Sequence, residues 1–104
     1  MSEVISLPDN FISKGDQRRL ESFAGHTIAR GRATRWQWGV NDNGDDTFSL
    51  YTGGEQESLA AWVDRDHAAD KFRAYKSQGQ AIAKGPLEKV MAALDEYFMR
   101  LHNE

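Results

Sequence analysis

The stretch Arg35-Trp36-Gln37-Trp38-Gly39-Val40-Asn41-Asp42-Asn43-Gly44 decides the fold. It sets two of the three tryptophans at alternate positions and then breaks into turn residues. Period two is the signature of a strand, so Trp36, Trp38 and Val40 point one way and Arg35, Gln37 and Gly39 the other. Asn43-Gly44 is a strong hairpin tip, because both residue types tolerate positive φ. Thr47-Phe48-Ser49-Leu50-Tyr51 reads as the returning strand, with Phe48 and Leu50 on one face, and Thr52-Gly53-Gly54 ends it.

Towards the C-terminus, 55–70 carries two patterns. Leu59, Trp62 and Val63 have helical spacing, and the Ala-rich composition supports a helix. That helix would place Asp66 and His67 on its buried stripe, where both need partners. Strand–turn–strand is preferred, with Ala60 and Trp62 on one face, Leu59, Ala61 and Val63 on the other, and a loop over 64–70. Phe72 to Tyr75 is then a strand, Ser77-Gln78-Gly79 a turn, and Ala81-Ile82-Ala83 the last strand. Gly85-Pro86 opens a helix, since proline in the first turn sacrifices no hydrogen bond. Leu87, Val90, Met91, Leu94, Tyr97, Phe98 and Leu101 form one apolar stripe along it.

Towards the N-terminus, residues 1–12 read as an arm whose Phe11-Ile12 tucks into the core. A short helix is predicted over 17–24, with Asp16 as N-cap and Gly25 as its stop. Period two takes over from Thr27. The predicted architecture is one α+β domain over residues 1–104. A small antiparallel β-meander is packed by a long C-terminal helix and joined by a short N-terminal one.

The chain has 104 residues, 39% of them hydrophobic, with eleven aromatics, so a thin core is expected rather than disorder. With no cysteine, disulfides, thiolate metal sites and thiol nucleophiles are excluded. There is no leader-like or membrane-spanning apolar run, so a cytoplasmic location is expected. The three histidines are not spaced as paired ligands, and no nucleophile elbow or phosphate-binding glycine loop is present. Asp64-Arg65-Asp66-His67 with Asp70 has donors for a divalent metal, but reads more simply as a charged turn. Asn41 to Asp46 fits no register of a calcium loop. The expectation is a non-enzymatic protein with no cofactor and no metal.

The net charge of -3 is unevenly spread. Residues 14–35 hold six Lys/Arg and two Asp/Glu, whereas 41–70 hold eight Asp/Glu and one Arg. Two readings follow. Asp42, Asp45, Asp46, Glu55, Glu57, Asp64 and Asp66 form an acidic surface for a protein with a basic surface, with no membrane or small-molecule substrate involved. Alternatively, Arg30, Arg32 and Arg35 with Trp36 and Trp38 form a nucleic-acid-binding module. The second reading needs the indoles exposed, whereas burial beneath the C-terminal helix is the more economical use of so much apolar area.

Trp36-Gln37-Trp38-Gly39-Val40-Asn41-Asp42-Asn43-Gly44 also resembles a W-Q-W-G-x-x-x-N-G stretch of small phage-encoded inhibitors of type I-F CRISPR–Cas complexes, the anti-CRISPR proteins. The order of hairpin and C-terminal helix is similar too. The resemblance spans nine residues and carries over no residue of known function. It implies a phage or mobile-element inhibitor of host defence that acts by occluding a partner's surface.

Overall fold

The computed structural model describes residues 12–42, 44–66 and 71–102. Helix α1 (Lys14–Ala29) leads into strands β1 (Arg35–Val40), β2 (Asp46–Thr52), β3 (Ser58–Asp66), β4 (Lys71–Lys76) and β5 (Ala81–Gly85), and helix α2 (Leu87–His102) closes the chain. The strands form one antiparallel sheet in the order β1-β2-β3-β4-β5. The predicted α+β meander with two flanking helices is therefore the observed architecture.

The inner face of the sheet can be read along its rungs. Trp38 pairs with Phe48, Phe48 with Val63, Val63 with Ala74, and Ala74 with Ala83. Phe48, Val63 and Ala74 have no solvent exposure. The small residues Ala61, Ala74 and Ala83 leave room for Val90, Leu94 and Phe98 of α2, all fully buried. Burying Phe98 and Leu94 contributes about 1.5–3 kcal/mol each. Leu101, predicted on this stripe, is 44% exposed, because it lines a cleft between the end of α2 and the β4–β5 hairpin instead of entering the core. Ile12 is fully buried and its amide donates to Asp46 Oδ2 at 3.0 Å, so the end of the expected arm does enter the core. Phe11 and the rest of the arm lie outside the described residues.

Several local boundaries differ from the sequence reading. Helix α1 begins earlier, because Ser13 is its N-cap and accepts from the Asp16 amide at 3.3 Å. It also runs through Gly25. Leu20, Ala24 and Thr27 are buried at helical spacing, and the burial of that stripe outweighs the roughly 1 kcal/mol penalty of a helical glycine. The helix stops instead at Arg30, followed by Gly31 at φ 77°. Residues 58–66 are strand, not helix, as preferred, but the strand extends through Asp64, Arg65 and Asp66, which were expected in a loop. The cross-strand partners Arg73 and Lys71 hold those charged residues in the ladder. A register shift where Leu50 and Tyr51 face β3 brings Leu59, rather than Ala60, opposite Tyr51. His67 to Asp70 and Asn43 lie outside the described residues.

Candidate interaction surface

Both helices cover one face of the sheet, so alternation along each strand fixes what the other face presents. Three rungs cross it. Gln37, Ser49, Trp62 and Tyr75 are partners in succession across β1 to β4. Gly39, Thr47, Asp64, Arg73 and Lys84 form the rung on one side, and Arg35, Tyr51 and Leu59 the rung on the other. Among the described residues, no α-helix lies over these side chains. The face is aromatic in the middle and charged around it.

The Trp62 and Tyr75 rings stack, with centroids 5.2 Å apart and planes at 27°. The Arg73 guanidinium sits 5.9 Å from the Tyr75 centroid. Its Nε donates to Asp64 Oδ1 at 2.8 Å, and Nη1 is 3.7 Å from Asp66 Oδ2. Asp64 is only 5% exposed. Burial alone would loosen the Arg73 proton, but the hydrogen bond and charge of Asp64, aided by Tyr75 and Asp66, outweigh it and hold the guanidinium above its ordinary value. On the neighbouring rung Arg35 lies 4.1 Å over the Tyr51 ring, with Nε donating to Glu57 Oε1 at 2.6 Å and Nη1 to Gln37 Oε1 at 2.7 Å. Two arginines are thus fixed over tyrosines by carboxylates below them. The order of exposure matters: Arg35, Lys71 and Lys84 are exposed, whereas Asp64 is buried and Asp66 and Glu57 are half-buried side chains.

The acidic residues singled out from the sequence do not form one patch. Register places Asp42, Asp45, Asp46, Asp64 and Asp66 at one end of the sheet and Glu55 and Glu57 at the other. Most have structural duties. Asp45 is 3% exposed and clamped by Asn41, whose Oδ1 accepts from the Asp45 amide at 2.9 Å. Asp46 holds the Ile12 amide, Glu57 holds Arg35, and Asp64 and Asp66 hold Arg73. Asp42 and Glu55 remain exposed.

The basic–aromatic set is also divided. Arg30 and Arg32 are not on a strand with the tryptophans. They follow α1, and approach Asp95 of α2 at 3.7 and 3.9 Å. Trp36 and Trp38 are half-buried on the inner face, 5.5 and 4.8 Å from the Phe48 ring. Trp38 Nε1 donates to Glu21 of α1 at 2.7 Å, so α1 rather than α2 caps it. Only Arg35 of that set reaches the open face. Trp62, the third indole, lies there too. Its position was visible in the alternation Trp62-Val63-Asp64-Arg65-Asp66 and Arg73-Ala74-Tyr75, where aromatic and charged residues share parity. Sequence reasoning left Tyr51, Trp62, Arg73 and Tyr75 out because it sought charge clusters along the chain rather than across strands.

No helix among the described residues is long and apolar enough to cross a membrane. No family model, curated protein or solved structure matches the chain.

Proposed function

We propose that this protein is a non-enzymatic binding domain that covers a surface of a protein partner, and that the open sheet face makes the contact. The observation that carries the reading is the fixed Trp62–Tyr75 stack flanked by Arg35 and Arg73. Trp, Tyr and Arg dominate the energetics of protein interfaces, and rigid side chains lose little entropy on binding. Five strands of about six residues offer roughly 400 Å² of projected face. A specific complex buries about 800 Å² per partner, so the contact must run onto the sheet ends, where Asp42 and Glu55 are exposed. The partner that fits is acidic opposite Arg35, Lys71 and Lys84 and basic at the margins.

For the partner class we propose a host-defence complex, which rests on the likeness of Trp36–Gly44 to the type I-F anti-CRISPR stretch. The test is plaque formation by a targeted phage on a type I-F CRISPR–Cas host expressing the protein. Restored plaquing that is lost with Trp62→Ala/Tyr75→Ala in a folded variant supports both parts. No restoration removes the defence reading. Restoration that the double variant retains removes the face.

Single-stranded nucleic acid is the rival occupant of the same face, because half-buried rings beside exposed cations also suit stacked bases. Gel shifts at low and moderate salt separate the two. Tight, steeply salt-dependent binding abolished by Trp62→Ala favours nucleic acid.

A further inference from the structure

Between the last turns of α2 and the β4–β5 hairpin lies a cleft of about 460 Å³. That size falls within the roughly 300–1,000 Å³ of sites that hold small organic molecules. Its floor is apolar, made by Ala81, Ile82, Ala93 and Leu101. Its polar side is the pinned Tyr97 ring with two cations, Lys76 and Arg100, and one carboxylate, Glu96. The Tyr97 hydroxyl donates to the Ala60 carbonyl at 3.3 Å, which fixes the ring against the sheet. Lys76 Nζ stands 5.8 Å from the centroid of that ring. Arg100 is matched by Glu96 at 2.7 Å, but among the described residues Lys76 has no carboxylate partner. The cleft therefore offers one uncompensated ammonium beside an apolar floor.

We propose that this cleft binds a small monocarboxylate carrying an apolar tail. The carboxylate pairs with Lys76 Nζ, and the tail lies on Ala81, Ile82, Ala93 and Leu101. With Arg100 already neutralised by Glu96, the single unmatched cation suits one negative charge rather than the two of a phosphate or a dicarboxylate. The exposed Leu101 acquires a purpose on this reading, since the tail completes its burial. The site stands apart from the open sheet face, so it holds or fails independently of the function proposed above.

The test is a titration of the whole protein with octanoate, followed by amide chemical shifts, with octanol as the uncharged control. Saturable shifts confined to Lys76, Ala81, Ile82, Ala93 and Leu101 are expected, with octanol binding more weakly. Lys76→Gln should weaken octanoate about tenfold, the order expected for one charge-assisted hydrogen bond, and leave octanol unchanged. Ala93→Leu, which fills the floor while keeping the cation, should weaken both. Equal binding of octanol and octanoate, an unaffected Lys76→Gln variant of native melting temperature, or unsaturable shifts across the molecule would each overturn the proposal. So would a peptide with a C-terminal Leu that binds there when octanoate does not.

Discussion

Replacing Arg73 with methionine would leave Asp64 as a buried carboxylate without its principal partner. The Asp64 side chain is 7% exposed and that of Arg73 24%, with 2.8 Å between Nε and Oδ1. Breaking a fully buried pair in this way costs about 3–5 kcal/mol, most of it the desolvation of the stranded charge. One partner here still touches solvent, so about 2–3 kcal/mol is expected. For a domain of this length that is a fall of about 10–20 °C in melting temperature. The double variant Arg73→Met/Asp64→Leu removes the stranded charge as well and should recover most of the loss. Urea unfolding at pH 7, followed by circular dichroism, measures both. A single variant that loses less than about 0.5 kcal/mol, or a double variant as unstable as the single, would refute the reasoning.

Three further outcomes follow from the same structure. Gly25→Ala, mid-helix with nothing within 4 Å of the added carbon, should stabilise by about 0.4–1 kcal/mol, whereas Gly53→Ala should destabilise by about 1–3 kcal/mol. The latter places its Cβ 2.5 Å from the Gln56 carbonyl oxygen at φ +100°, so thermal melts of the pair should move in opposite directions. Glu21→Ala should cost about 1 kcal/mol by orphaning Trp38 Nε1, and Glu21→Gln less, because an acceptor remains; equal losses in urea melts would disprove that role. The Glu88 carboxyl is held below the usual range by its own backbone amide and then by Arg19. A lowered carboxylate stabilises the fold above its unfolded-state value, and that contribution disappears as the pH falls through the lower folded value. Arg19→Gln should therefore raise the Glu88 titration, followed by carbon NMR, only part of the way back, and the stability difference between the two proteins should shrink as the pH drops below about 4.

The hairpin at Trp36 was legible because parity, turn residues and the returning Phe48 and Leu50 all agree on one register. The C-terminal helix was legible because one stripe of large apolar residues runs almost its full length. Gly25 misled because a glycine's helix-stopping tendency is local, while the burial of Leu20, Ala24 and Thr27 is decided by the packing of α1 against α2 and β1. The charges at Asp64 and Asp66 suggested a loop because their partner Arg73 becomes adjacent only through strand pairing. The same reason hid the open face. Trp62 and Tyr75 are thirteen positions apart in the chain and meet only in the ladder, so no scan along the sequence brings them together. The acidic residues showed the converse. A run of carboxylates looked like one patch, yet the strands carry its members to opposite ends, and most are absorbed in holding amides and arginines.

The meander has a kinetic corollary. Each strand pairs with its immediate predecessor, so the sheet can zip up through short loop closures, which are fast. The contact of α1 with α2 through Arg19 and Glu88, at 2.8 Å, joins residues far apart in the sequence and so closes a much longer loop than any hairpin. A clasp made after the rate-limiting step governs how long the native state survives rather than how quickly it forms. Loosening it should hasten unfolding and leave the refolding rate almost unchanged.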